Sequence, residues 1–340
     1  MNTSRPVQSA VGRAYARAGL LGNPSDGYNG RTISFIIRDF SAGVSVIPRK
    51  QLTFVPHHYE ATTYESIESF YDKITEHSYY GGIRLLKAAT KRFFEYCQLS
   101  GATLHNQNFQ MSYETNIPRL VGLAGSSAIV TAALRALSRW YGVEIPPHLL
   151  ASLTLSAESD LGIPAGLQDR VIQAYEGLVY MDFSHDVMKT EYELTFGNYR
   201  SLDPTLLTNV YVAYARDAGQ STEVVHNDLR RRFNDGEKAV VDAMQMFADI
   251  AKEGVSAIES GNHRQLHELI DQNFDLRNGI CQLHSMHSKM IESARSTGAS
   301  AKFSGSGGAI VGTYTNDQAF DELSQALAKI GCVTFRPGVS

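Results

Sequence analysis

Between Phe109 and Trp140 a short apolar alternation, a proline at Pro118, a glycine-serine run and a segment dense in alanine and leucine follow one another. That succession predicts a strand over residues 109–113, a tight loop and a strong helix over residues 127–140. In the loop, Gly122-Leu123-Ala124-Gly125-Ser126-Ser127-Ala128, small side chains leave backbone N–H groups open, and the helix that follows directs its positive end to the same place. A phosphate chain can be cradled there without a lysine. The hydroxyls of Ser126 and Ser127 can add a phosphate bond or a magnesium ligand. A strand-to-helix turn capped by a serine is the other use of the same residues.

The surrounding pattern is mixed. Apolar runs split by turn residues predict strands and turns from Val11 to Lys50. Spacing at three and four predicts helices over residues 64–77, 83–97, 147–159 and 167–175, with a break at residues 162–166 and a strand over residues 178–183. Strands are then expected at residues 209–214, 301–304, up to Tyr314 and near Val333, with helices over residues 222–233, 237–259, 263–280, 284–296 and 317–330. Such an order favours α+β layering over a doubly wound parallel sheet, with a domain boundary near residues 201–206. The 340 residues are enough for two cores.

A net charge of -4 argues against affinity for polyanions, so no nucleic-acid partner is expected. The basic run Arg230-Arg231-Arg232 reads either as a solvated helix face or as a group facing a substrate. Neither the first eight residues nor the apolar stretch 120–134 suits a leader or a membrane span, and no membrane partner is expected. Cys97, Cys281 and Cys332 are odd in number and form no CxxC pair, which suits a reducing, cytoplasmic location.

Glu158 and Asp169 flank the glycine break, so the end of one helix and the start of the next can bring both carboxylates to one pocket. Glu158 suits a magnesium ligand, and Asp169 suits a group that accepts or orients the proton of an attacking hydroxyl. Two surface acids are the bland alternative. Arg17 lies in a mostly apolar segment and needs a carboxylate or phosphate partner. Asp26, in the turn that follows, can fork onto vicinal sugar hydroxyls or simply form an Asx turn. Gly305 and Gly307 in Ser304-Gly305-Ser306-Gly307-Gly308 permit close backbone approach to a ligand or a β-turn. Cys281, His284 and His287, and likewise His263 and His267, have spacings that helical packing explains better than a metal. No GxxxxGK[ST] and no HRD loop occurs.

Taken together and in order, residues 17–30, 118–128, 158–169 and 302–308 resemble the GHMP kinases, a family named for galactose, homoserine, mevalonate and phosphomevalonate. The similarity is nearest to the branch that acts on uronic acids, carried also by residues 80–86 and 165–170. The resemblance implies an N-terminal domain (residues 1–203) like the second domain of ribosomal protein S5 and a ferredoxin-like C-terminal domain (residues 204–340). It implies ATP on Gly122 to Ala128 with Gly305 and Gly307, Mg2+ near Ser127 and Glu158, a catalytic Asp169 beside Arg17, and a sugar at Asp26. Arg170, adjacent to Asp169, and Ser221, in a loop that approaches the substrate in related kinases, join Asp26 as expected acceptor contacts, and Arg170, Arg230 and Arg231 are the candidates for meeting a uronate carboxylate. The expected reaction phosphorylates the anomeric hydroxyl of a uronic acid, glucuronate first. A kinase for another sugar, a sugar phosphate or mevalonate, and a silent sensor of the same fold, are the alternatives. Asn23-Pro24 stands where galactokinases carry an acid and a histidine, which weakens galactose as the acceptor.

Overall fold

A computed structural model describes residues 9–58, 60, 65–77, 81–163, 166–216, 223–281, 283 and 285–340. Two long antiparallel strands, β1 (Ala10–Leu21) and β2 (Arg31–Pro48), are joined through a 3-10 turn at Ser25–Tyr28. β1 alternates between buried and outward residues as far as Tyr15, and then buries every residue from Ala16 to Leu21. The change reflects a second covering layer, because Leu21 and Ile33 reach a helix glycine, Gly254, from the other half of the chain.

β2 organises the larger sheet. Its end half pairs with β4 (Phe109–Thr115) and its beginning with β5 (Leu178–Asp182), while β1 lies along its other edge. Between the halves, the β1 register jumps from Tyr15↔Ser41 to Ala16↔Ile37. The short β3 (Thr53–Phe54) runs parallel to β4 at one edge. Helices α1 (Ile67–His77) and α2 (Gly82–Ser100) precede β4, and α3 (Gly125–Tyr141), α4 (Pro147–Ser159) and α5 (Gln168–Tyr175) follow it. α3 packs on β1 so closely that a Cβ on Gly12 would stand 1.9 Å from the carbonyl oxygen of Ala132.

A hairpin, β6 (Lys189–Glu191) and β7 (Leu194–Phe196), and the edge strand β8 (Asn198–Leu202) fill a region where sequence patterning gave no strands. The hairpin turn uses Tyr192 and Glu193, both at positive φ (48° and 63°). Tight hairpins usually place Asn or Gly there, so this one carries no turn signature.

β9 (Val210–Ala215) opens a second sheet, followed by α6 (Glu223–Asn234), α7 (Lys238–Glu259), α8 (His263–Ile280) and α9 (Ser285–Arg295). β10 (Lys302–Phe303), β11 (Ala309–Thr313), α10 (Asp317–Ala328) and β12 (Cys332–Phe335) complete it. The sheet order β10-β11-β9-β12 is antiparallel throughout, the ferredoxin-like order expected for this half. The two halves share one apolar interior, which includes Leu21 and Ile33 together with Ala251, Ile258 and Leu269.

Candidate active site

Arg17 projects from the fully buried part of β1, and Asp169 stands in the first turn of α5, where a carboxylate is favoured by the helix dipole. They meet in a two-pronged pair, Nε to Oδ1 at 2.6 Å and Nη2 to Oδ2 at 2.7 Å. The remaining Nη1 donates to the carbonyl of Gly122 at 2.7 Å and to that of Ser304 at 3.3 Å. One buried guanidinium thus gathers the phosphate-type loop, the helix-borne carboxylate and the second glycine loop. Of the carboxylate or phosphate partner expected for Arg17, the structure supplies the carboxylate of Asp169.

The loop turns into α3 through Ala124, which takes the left-handed conformation at φ 61°. Its carbonyl is held by Gln173 Nε2 at 2.9 Å. Because the helix starts at Gly125, two residues earlier than expected, both serines belong to its first turn. Ser126 Oγ donates to Glu158 Oε1 at 2.8 Å, whereas Ser127 Oγ, almost fully buried, turns back to the Ala124 carbonyl at 3.2 Å. Of the two serines the sequence offered, the hydroxyl beside Glu158 is that of Ser126, whereas the family resemblance pointed to Ser127. Glu158 itself is inaccessible and receives Arg170 Nε on Oε2 at 2.6 Å, with Arg170 Nη2 on the same oxygen. Arg170 also binds the Gly166 carbonyl at 3.0 Å and is buried. Its fork is spent on Glu158, which removes it as the partner of a substrate carboxylate, because leaving Glu158 uncompensated in the interior would be costly.

Asp26, half-buried in the turn after β1, accepts from the Gln168 backbone N–H at 3.3 Å. It lies so close to Gly166 that a Cβ there would be 2.0 Å from Oδ2. Burial, reinforced by the charge of Asp169, pushes Asp26 up to about 6. In the second glycine loop, a Cβ on Gly305 would meet the Gly122 carbonyl at 2.6 Å and both terminal nitrogens of Arg17 at 3.0 Å. Gly307 lies close by, its carbonyl 2.6 Å from the place of a Gly122 side chain. Ser221 and His284 lie outside the described residues, as does part of the break before α5, residues 164–165. All three cysteines are free.

Two polar residues on the apolar stripe of α8 complete the floor, and the sequence reading passed over both. Asn273 accepts from Gly22 N at 2.7 Å and donates to the Asn23 carbonyl at 3.2 Å. Arg277 donates to the Gly305 carbonyl at 2.8 Å and lies 5.2 Å from the centre of the Phe303 ring. Their signal was their place in line with Leu266, Ile270, Phe274 and Ile280, where polar side chains are out of keeping. Lys302, also buried, donates to the carbonyls of Gly19 and Phe303 at 2.8 Å and 2.9 Å and to Asn23 Oδ1. Burial and the positive charges of Arg277 and Arg17 push its pKa well below that of an ordinary lysine.

With Oε2 of Glu158 held by Arg170, Oε1 and the Ser126 hydroxyl beside it are the oxygens left to offer a cation, a hard donor pair of the kind magnesium takes. Among the described residues, the imidazoles and acids grouped tightly enough for one ion are His57, His58 and Glu114, which include none of these. A metal at Glu158 would draw its other ligands from hydroxyl, phosphate and water oxygens, as magnesium commonly does. A depression of about 480 Å³ bordered by Arg38, Arg135, Glu176 and Ser201 lies at the far end of α5 and contains none of the residues singled out here. Among the described residues, no helix is long and apolar enough to cross a membrane.

Residues 84–177 match the family described as "GHMP kinases N terminal domain". The chain is 43% identical to glucuronokinase 1 of Arabidopsis thaliana over 88% of its own length and 83% of that protein. It is 44% identical to probable glucuronokinase 2 of the same plant, over 88% and 82%. Among solved structures, the phosphomevalonate kinase of Streptococcus pneumoniae superposes with a TM-score of 0.74 over 97% of this chain and 99% of that one, at 14% identity, a likeness of fold.

Proposed function

Since this chain belongs to the GHMP kinases, we propose that it transfers the terminal phosphoryl group of ATP to the anomeric hydroxyl of D-glucuronate, giving glucuronate 1-phosphate and ADP. The observation that carries the chemistry is the Arg17–Asp169 pair, anchored to the Gly122 carbonyl at the head of α3. The acceptor rests on the similarity to glucuronokinase 1 of Arabidopsis thaliana over most of both chains.

In this reading the loop from Gly122 into the first turn of α3, whose N–H groups lie ahead of the first intrahelical bond donated by Ala128, receives the phosphates, with Gly305 and Gly307 opposite. Asp26 accepts from sugar hydroxyls and keeps the reacting one in line with the γ-phosphorus. Asp169 takes the proton of that hydroxyl as the new O–P bond forms and the bond between the γ-phosphorus and the bridging oxygen breaks, so that ADP leaves with the bond's electrons. Arg17 keeps Asp169 aimed, and places positive charge beside the transferring group. Glu158 and Ser126 would hold Mg2+, which supplies charge neutralisation across the phosphates.

An acceptor panel read by ADP release tests the reading. Glucuronate is expected to be turned over far better than glucose, galactose, a heptose phosphate or mevalonate. The product should lose its phosphate in mild acid, as an anomeric phosphate does and a primary-alcohol phosphate does not. A better turnover of any other acceptor in the panel would overturn the uronate assignment and leave the kinase family unaffected.

A further inference from the structure

A uronic acid differs from the hexose it derives from by one carboxylate, which needs a positively charged fork inside the acceptor pocket. The arginines of the site and those on α6, whose Arg230 packs on the turn after Asp26, can be sorted by what already occupies them. Arg17 is held by Asp169 and Arg170 by Glu158. Arg231 pairs with Asp228 and Asp235, and Arg232 sets two nitrogens on the two oxygens of Glu237 and a third on the Ile280 carbonyl. Arg277 is sealed beneath the Gly305 carbonyl.

Arg230 differs from these. Its side chain is exposed, and no acidic side chain among the described residues pairs with it. Its guanidinium carbon stands 4.3 Å above the centre of the Tyr28 ring. Nη2 lies 2.9 Å from the place a side chain on Gly27 would take. Gly27 and Tyr28 directly follow Asp26, so the turn that presents a carboxylate to the sugar also carries a stacked arginine. Stacking orients the plane of the guanidinium in advance and lowers the conformational cost of binding, while leaving its hydrogen-bonding edge free. Gly27, having no side chain, lets the guanidinium lie against the turn.

We infer that Arg230 is the specificity-determining residue of the acceptor pocket, receiving the carboxylate of a uronic acid on a guanidinium oriented by Tyr28. The inference rests on the uronate reading above. A neutral hexose gains nothing from this group, whereas a uronate gains a charge-assisted, two-pronged contact.

The test is steady-state kinetics of the whole enzyme and its Arg230→Gln and Arg230→Lys variants with glucuronate and with glucuronamide, the uncharged isostere. Arg230→Gln should raise the KM for glucuronate ten- to hundredfold. The kcat, the KM for ATP and the KM for glucuronamide should stay as they are, and Arg230→Lys should recover part of the loss. Equal changes for both acceptors, or none for glucuronate, would overturn the role of Arg230. A wild-type enzyme that prefers no uronate over glucose would instead overturn the acceptor assignment, and this inference with it, before any variant is made.

Discussion

Burial and the neighbouring charge of Asp169 lift Asp26 to about 6, so its two protonation states exchange between pH 5 and pH 7. The ionised form accepts from sugar hydroxyls and the neutral form does so poorly. The KM for the acceptor should therefore fall about tenfold from pH 5 to pH 7.5, and Asp26→Asn should flatten that profile. Stability moves the other way. An unfolded aspartate titrates near 3.9, so the folded chain disfavours the charged form, and the cost appears between roughly pH 4 and pH 6 and persists above. Asp26→Asn should thus stabilise the protein by roughly 1–2 kcal/mol at pH 7.5 and leave it unchanged at pH 4, as read from urea midpoints. Asp169 has a different task, and Asp169→Asn should keep ATP binding while lowering kcat about a hundredfold or more. Near-normal turnover in that variant would remove Asp169 from the chemistry.

At the scale of elements, α3 and β1 act together because Gly12 lets them touch. A methyl group at Gly12 would press on the Ala132 carbonyl at 1.9 Å and on the Ala136 nitrogen at 2.6 Å, both backbone atoms that cannot step aside. Gly12→Ala should cost about 1–3 kcal/mol. Since α3 carries the loop from Gly122 at its head, the KM for ATP should rise along with the loss of stability. Helices such as α3, α7 and α8 were legible in the sequence because their apolar spacing is local information, as was the need of Arg17 for a carboxylate or phosphate partner. The hairpin of β6 and β7 was not, since Tyr192 and Glu193 take a conformation for which neither residue has a preference. Nor was the choice between Ser126 and Ser127, which depends on the residue at which α3 begins and so on how Ala124 is held by Gln173, far away in the chain. The engagement of Arg170 by Glu158 was hidden for the same reason: adjacency to Asp169 in sequence suggested a substrate contact, while the bend before α5 gave its charge to α4.

At the scale of the molecule, Lys302 ties the second sheet to the end of β1, with three oxygens facing its three possible hydrogens. Lys302→Met keeps the volume and strands those acceptors but also removes an amine whose charge the interior disfavours, so a net loss of about 1–2 kcal/mol is expected in urea unfolding, together with weaker acceptor binding as the turn at Asp26 loosens. An unchanged midpoint would mean that the joint is held elsewhere. The joint does not stand alone: Gly19 N donates to the Ser304 carbonyl at 2.8 Å, Arg17 reaches the same carbonyl at 3.3 Å, and Arg38 N meets the Gly338 carbonyl at 2.8 Å. Each of these bonds spans almost the whole chain. During synthesis, Arg17, the loop before α3 and Asp169 all leave the ribosome long before Ser304 does, and domains tend to fold as they emerge. The nascent chain can assemble its larger sheet while the wall formed by Ser304 and Gly305 has yet to be translated. The enzyme should accordingly be born with an open cleft, and a chain stalled short of β10 should carry every acidic residue of the site and still lack its closing side.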